Sequence, residues 1–257
     1  MGERIPRRFA LLVAGVYLFL YIPIIILIVF SFNKGTFPTH WLGYTTAWYK
    51  TVLASHEVRD ALYNSLIVAF SAVFFSVIFG SLYVFYGASA RLNRYGSFFY
   101  VTLAVPEIVL AAGFVSALYA LHISPGLTTL IVVHTVLGFS YVIPIIRARH
   151  QLLDKQLLEA SYDLGATRLQ TMYHVVLPFL FPSIMAASLL VFIISFDDFI
   201  LSYFCAGSGM QTLPVYLFAL IVAGATPTVN VISTLMIITS ACLIGLCAWF
   251  EFGRQNR

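Results

Sequence analysis

Six long apolar runs, separated by more polar stretches, make up more than half of the chain: Phe9 to Phe32, Ala61 to Ala88, Ser97 to Leu121, Gly126 to Ile146, Pro182 to Phe204 and Pro227 to Phe250. An α-helix rises about 1.5 Å per residue, so about 20 apolar residues cross a hydrocarbon layer of about 30 Å. The pattern therefore predicts an all-α membrane protein with six transmembrane helices. The first run is longer than a signal-peptide core of about 7 to 15 residues and lacks a small-residue cleavage site, so it is expected to stay as an anchor. Thr226 and Pro227 read as the N-cap and first residue of the sixth helix.

Composition closes off the soluble alternative. The 257 residues are 61% hydrophobic and 9% charged, against about 25% charged in ordinary soluble domains. The net charge of +4 does not point to nucleic acid, because the basic residues form short clusters between apolar runs. Those clusters carry orientation instead. Arg4, Arg7 and Arg8 at the amino terminus, Arg91 and Arg94 in the second loop, Arg147, Arg149, Lys155 and Arg168 in the fourth, and Arg254 and Arg257 in the tail make up 11 of the 14 basic residues. Positively charged loops remain in the cytoplasm, so both termini are expected there, as an even number of spans requires. On the opposite side the 33–60 loop carries Trp41, Tyr44, Trp48 and Tyr49, which suits a short helix at the headgroup level or a cap over a partner subunit. The 205–226 segment reads as a longer outer connection. Cys205, Cys242 and Cys247 have neither disulfide nor metal-ligand spacing and read as reduced packing residues.

The fourth loop, RARHQLLDKQLLEASYDLGATRLQTMYHVVLPFLF, is patterned rather than slack. Leu153, Leu157, Ala160, Ser161 and Leu164 recur at helical spacing with charged residues between them, predicting a short amphipathic helix that Gly165 ends. A second short helix is expected over Thr167 to His174, with Pro178 and Pro182 breaking the chain before the membrane. From the pattern alone, this elbow could be an interfacial helix lying on lipid.

Its residues narrow that choice. Glu159-Ala160-Ser161, Gly165 four positions beyond Ser161, and Val175-x-Leu177-Pro178 resemble the EAA motif of binding-protein-dependent ABC importer permeases, the MetI-like family. Ser161 stands for the second alanine of the motif and Val175 for isoleucine. The resemblance implies a type I ABC importer permease bundle. Glu159, Ala160, Ser161, Gly165, Leu177 and Pro178 would then form the coupling element that docks into an ATPase subunit. It also implies a complex with a second homologous permease subunit, an ATPase dimer and a periplasmic substrate-binding protein. No phosphate-binding loop of the form G-x-x-x-x-G-K-[ST] occurs in the chain, so ATP and Mg are expected on the partner ATPase and no cofactor on this chain. The expected domains are an anchor helix and outer loop over 1–60, the permease core over 61–250 and a cytoplasmic tail over 251–257.

Three acidic residues fall inside spans: Glu107, Asp197 and Asp198. A carboxylate at mid-membrane costs about 2.5 to 3.5 kcal/mol on insertion scales, so intramembrane acids mark pathways or partners. At the helical rise, Glu107 lies roughly 15 Å and Asp197 roughly 22 Å into their spans. Adjacent helical residues point about 100° apart, so the two aspartates cannot line one wall. With no lysine or arginine in any span, a pathway through these groups favours cations, and Phe192, Phe196, Phe199 and Tyr203 could offer cation-π faces. Glu107, Asp197, Asp198, Phe196 and Tyr203 are the candidate pathway residues. Pro106-Glu107-Ile108-Val109, Ser195-Phe196-Asp197-Asp198-Phe199 and Pro227-Thr228-Val229-Asn230 resemble the spermidine/putrescine branch of the same family, implying polyamine import across a bacterial inner membrane. Another small cationic solute fits the same residues. A proton-relaying secondary transporter would explain the acids but not the elbow, and no inverted repeat supports it. An intramembrane enzyme lacks any nucleophile or metal motif, and His134 reads as a hydrogen-bonded packing residue.

Overall fold

A computed structural model describes residues 7–36, 40–86, 99, 102–207, 209–224 and 227–255. Among them the secondary structure is helical, with one isolated antiparallel bridge between Asn33 and Tyr44. Lipid offers no partner for a bare N–H or C=O, and a helix pairs every backbone group within its own segment. The helices are α1 (Arg7–Phe30), α2 (Ala47–Ala54), α3 (His56–Tyr86), α4 (Glu107–Ala120), α5 (Leu127–His150), α6 (Lys155–Asp163), α7 (Arg168–Thr171), α8 (Leu177–Asp197), α9 (Ile200–Cys205), α10 (Leu213–Ala223) and α11 (Pro227–Gln255). Five helical stretches among the described residues are long and apolar enough to cross a membrane: Leu11–Phe30, His56–Phe85, Leu127–His150, Arg168–Asp197 and Pro227–Gly245. The expected third span is represented by α4, whose 14 residues rise roughly 21 Å. Most of the stretch before it, with Arg91 and Arg94, lies outside the described residues, as do Arg4, Thr226 and Arg257.

One expectation is corrected. Pro178 and Pro182 do not break the chain. Helix runs without interruption from Arg168 to Asp197 through a π turn at Met172–Val176, and Pro182 sits inside α8. Pro178 follows the widened turn directly, where a missing N–H costs least. Beyond it, the Ser183 hydroxyl donates to the Leu180 carbonyl at 2.7 Å. The 205–226 connection contains the apolar helix α10. Cys205 is a buried packing residue as expected, but Cys242 is exposed on this chain.

The chain divides into two compact units, Met1–Arg59 with Tyr216–Thr239, and Asp60–Val215 with Ser240–Arg257. In the first, residues 11–26 of α1 expose apolar side chains all round, the surface of a helix bathed in lipid or covered by another chain. The 31–54 segment folds around buried Asn33. Its Oδ1 accepts from the N–H of Leu42 at 2.9 Å and of Gly35 at 3.3 Å, its Nδ2 donates to the His40 carbonyl at 2.8 Å, and Trp48 Nε1 donates to its backbone carbonyl at 3.1 Å. Phe32 stacks between Tyr44 and Tyr49, at 5.4 and 5.0 Å between ring centroids. The expected short helix is α2.

In the second unit α5 is the central element. Leu130, Val133 and Leu137 pack with Val68 of α3, Ala111 of α4 and Leu201 and Cys205 of α9. Val142, Ile143 and Ile146 pack with Ala72 and Val84 of α3 and with Leu180, Ala187 and Val191 of α8. Small residues let these helices approach closely, as membrane helices require where lipid is as apolar as the core. A Cβ on Gly138 would lie 2.7 Å from Ser76 Cβ, and one on Gly80 would lie 2.7 Å from Val142 Cγ1.

Candidate functional site

The elbow between α6 and α8 is built from local signals placed end to end. Asp154 opens α6, its carboxylate accepting from the Gln156 N–H at 2.9 Å. Gly165 closes it at φ +85°. The Gly165 N–H donates to the Tyr162 carbonyl at 2.8 Å and the Ala166 N–H to the Ser161 carbonyl at 3.1 Å, the paired bonds of a glycine-terminated helix. One residue later Thr167 and Gln170 form a reciprocal capping box that starts α7. The Ser161 hydroxyl meets that of buried Thr171 at 2.8 Å, tying the two arms together across the bend.

Below the elbow, Leu153, Val176 and Leu180 sink into the bundle core. Of the apolar face expected on α6, Leu157, Ala160 and Leu164 are exposed and Ser161 is half-buried. Glu159 and Pro178 are exposed as well, Leu177 is half-buried, and Leu152, Tyr162, Leu169 and Tyr173 add large exposed side chains. The short helix rests on the bundle along one edge only, leaving an apolar ridge beside Glu159. At the C-terminal end of α5, the Arg149 guanidinium lies 4.4 Å over the Phe179 ring, and its Nε donates to the Phe179 carbonyl at 3.5 Å.

The acidic residues meet where the apolar runs are interrupted. Pro106 stands as the N-cap of α4, putting Glu107 in its first turn, where a carboxylate complements the helix dipole. The expected fifth span also breaks: α8 ends at Asp197 and Asp198 has extended ψ of 125°. Asp198 then accepts from the N–H of Leu201 at 3.3 Å and of Ser202 at 2.8 Å, taking up donors that the start of α9 leaves unpaired. The two aspartates do sit in different surroundings, yet the cause is this turn rather than the 100° helical step. Asp197 is exposed, with the Ser240 hydroxyl donating to it at 3.4 Å, whereas the Asp198 side chain is 1% exposed.

His134 of α5 completes the turn. Its Nδ1 is 2.8 Å from Ser195 Oγ, and its Nε2 is 3.4 Å from Asp198 Oδ2 and 3.5 Å from Ser202 Oγ. The ring is hydrogen-bonded to the Ser195 and Ser202 hydroxyls and faces the Asp198 carboxyl. The histidine is buried and hydrogen-bonded, in keeping with the packing role expected of it. Half-buried Glu107 lies close enough to Asp198 for the two carboxyls to interact. Two carboxyls at that range repel unless a proton or a cation lies between them. Of the aromatics, Phe196 is buried with its ring stacked on Phe192 at 5.6 Å, so its face is spent on the core. Tyr203 is exposed beside Phe199 and Phe204. The chain reading found the acids but missed the His134–Ser195–Asp198–Ser202 network. The one local signal for the break was an Asp, a favoured capping residue, in the middle of an apolar run.

Residues 51–254 match the family of binding-protein-dependent transport system inner membrane components. This chain is a member of that family. The spermidine/putrescine permease protein PotC of Haemophilus influenzae is 33% identical to it over 239 residues, covering 90% of this chain and 91% of that protein. The putrescine permease protein PotI of Escherichia coli is 31% identical, covering 99% and 93%. A chain of a bacterial ABC transporter involved in alginate import superposes with a TM-score of 0.72 at 18% identity, covering 97% of this chain and 99% of that one. A chain of the inward-facing MetNI methionine transporter gives 0.60 at 20%, covering 75% and 93%. The permease is thus a multi-pass membrane component of an ABC importer with the MetI-like fold, and a transport rather than a catalytic subunit. In this permease Ser161 occupies an alanine position of the EAA pattern and uses its hydroxyl to brace the elbow.

Proposed function

We propose that this permease imports polyamines, spermidine or putrescine, across a bacterial inner membrane. The similarity to PotC and PotI over nine-tenths or more of the chain carries this reading. A pathway with carboxyls and no fixed cation among them supports it. The chain crosses the membrane six times with both termini in the cytoplasm and pairs with a second homologous permease. ATP and Mg sit on an ATPase dimer, into which the exposed ridge of α6 docks through Leu157, Ala160 and Leu164, with Glu159 making polar contacts. Gly165 and the Ser161–Thr171 bond keep the elbow rigid, so closure of the ATPases moves α8 as a body. Cargo arrives on a periplasmic binding protein and passes Glu107 and Asp197, with Tyr203 alongside.

The test is uptake of labelled spermidine and putrescine by cells lacking their own polyamine importers and expressing this subunit with its partners. ATP-dependent uptake that falls in Asp197→Asn supports the assignment. An assembled complex that takes up neither amine discards polyamines as cargo while leaving the importer family intact.

A further inference from the structure

We propose that His134 is a positioning residue that holds the acidic turn of the fifth span, and that Asp198 serves this scaffold, leaving Glu107 and Asp197 as the carboxyls that meet a cationic cargo. The inference deepens the polyamine reading and rests on it for the cargo. The internal geometry stands without it.

Each oxygen of Asp198 already accepts a backbone N–H, and Glu107 is the acid beside it. Oδ1 takes the Leu201 N–H, Oδ2 takes the Ser202 N–H and faces His134 Nε2, and the side chain is 1% exposed. His134 is the group that joins the pieces: from α5 it reaches Ser195 near the end of α8, Asp198 in the turn and Ser202 in α9. A break in a membrane helix frees backbone groups that lipid cannot satisfy; here the Asp198 carboxylate takes them, and His134 of α5 lies against that carboxylate. Asp197, one residue away, is exposed, and Glu107 is half-buried. The direction in which Asp197 points is therefore set by how Asp198 is held.

The same pair of helices is joined at two further levels. Gly138 of α5 admits Val191 of α8, whose Cγ1 would lie 3.1 Å from an added Cβ, and Arg149 clasps Phe179 beyond the elbow. Helices α5 and α8 thus form one lever from the coupling loop to the acidic turn, with His134 as its far latch.

Uptake by the assembled complex separates charge from position. Asp198→Asn, with its amide oxygen in the place of Oδ2, keeps the acceptor for the Ser202 N–H that also faces His134 Nε2 and gives up only the longer Leu201 bond, and Asn replaces Asp well as a capping residue. It should retain uptake within about threefold. Asp198→Ala and His134→Ala should each lower uptake about tenfold or more while complex yield and basal ATP hydrolysis persist, because each strands a buried partner. Glu107→Gln and Asp197→Asn should lose as much through charge alone. Uptake in Asp198→Asn as low as in Asp198→Ala would overturn the proposal, as would normal uptake in His134→Ala. A second readout needs no cargo: the thermal midpoint of the purified complex in His134→Ala, Asp198→Ala and the double variant. Each single should fall by about 4 °C or more, and the double no further than the larger single. Additive shifts would refute the latch even in a complex that carries some other solute. Conversely, wild type that moves neither amine but shows the non-additive midpoints would sink the cargo and keep the latch.

Discussion

Replacing Gly138 by alanine tests whether close helix approach, rather than helix propensity, governs the bundle. The added Cβ would meet Ser76 Cβ at 2.7 Å, Ser76 Oγ at 2.8 Å and Val191 Cγ1 at 3.1 Å. Carbon atoms rest at about 3.5–4.0 Å, so the closest contact is short by about 1 Å. The obstacle is a Cβ fixed to the α3 backbone, and no rotamer change relieves it; the helices have to part. Overpacking of this kind costs about 1–3 kcal/mol, against about 1 kcal/mol that alanine returns through helix propensity. Two blocked sides put the steric cost at the upper end, for a net loss of about 1–2 kcal/mol. In a chain of this length that lowers the thermal midpoint of the purified complex by roughly 2–8 °C. Ser76→Gly removes the closer obstacle and should recover most of the loss. An alanine variant as stable as wild type, or no recovery with Ser76→Gly, would refute the reasoning.

Gly165→Ala meets no neighbouring atom, so its effect is the cost of φ +85°, about 1–2 kcal/mol; ATPase co-purification should weaken, and weaken less for Gly165→Asn. Gly165→Pro cannot adopt that φ and should abolish co-purification; retention would break the link between the elbow and docking. Ser161→Ala strands the buried Thr171 hydroxyl and should cost about 1 kcal/mol, largely restored by adding Thr171→Val; hydrogen exchange over 155–166 reports the loosening. Asn33→Ala removes three hydrogen bonds and leaves buried backbone groups unpaired, at about 1–3 kcal/mol. Limited proteolysis should then cut within 34–45 while the helices of the second unit stay resistant.

Membership of the class was legible in the chain because lipid reduces the options to helices of a set length, and runs of apolar residues report that length directly. The elbow was legible for a related reason: Asp154, Gly165, Thr167 and Gln170 act within a turn of their own positions, so spacing alone conveys what they do. Even the choice of Glu107, Asp197 and Asp198 followed from the cost of a carboxylate in hydrocarbon. The structure decided what each of those acids touches. Nothing in the spacing of Asp197 and Asp198 says that the helix stops between them, with Asp198 capping α9 and His134, more than sixty positions earlier in the chain, lying against it. Nor could the apolar runs reveal that Pro178 and Pro182 stay within helix, or that α10 forms within the 205–226 connection. Those outcomes depend on which side chain meets a given backbone group: Asp198 caps the break within its own segment, whereas Ser65 and Asn64 of α3 hold the start of α10 from nearly 150 positions away.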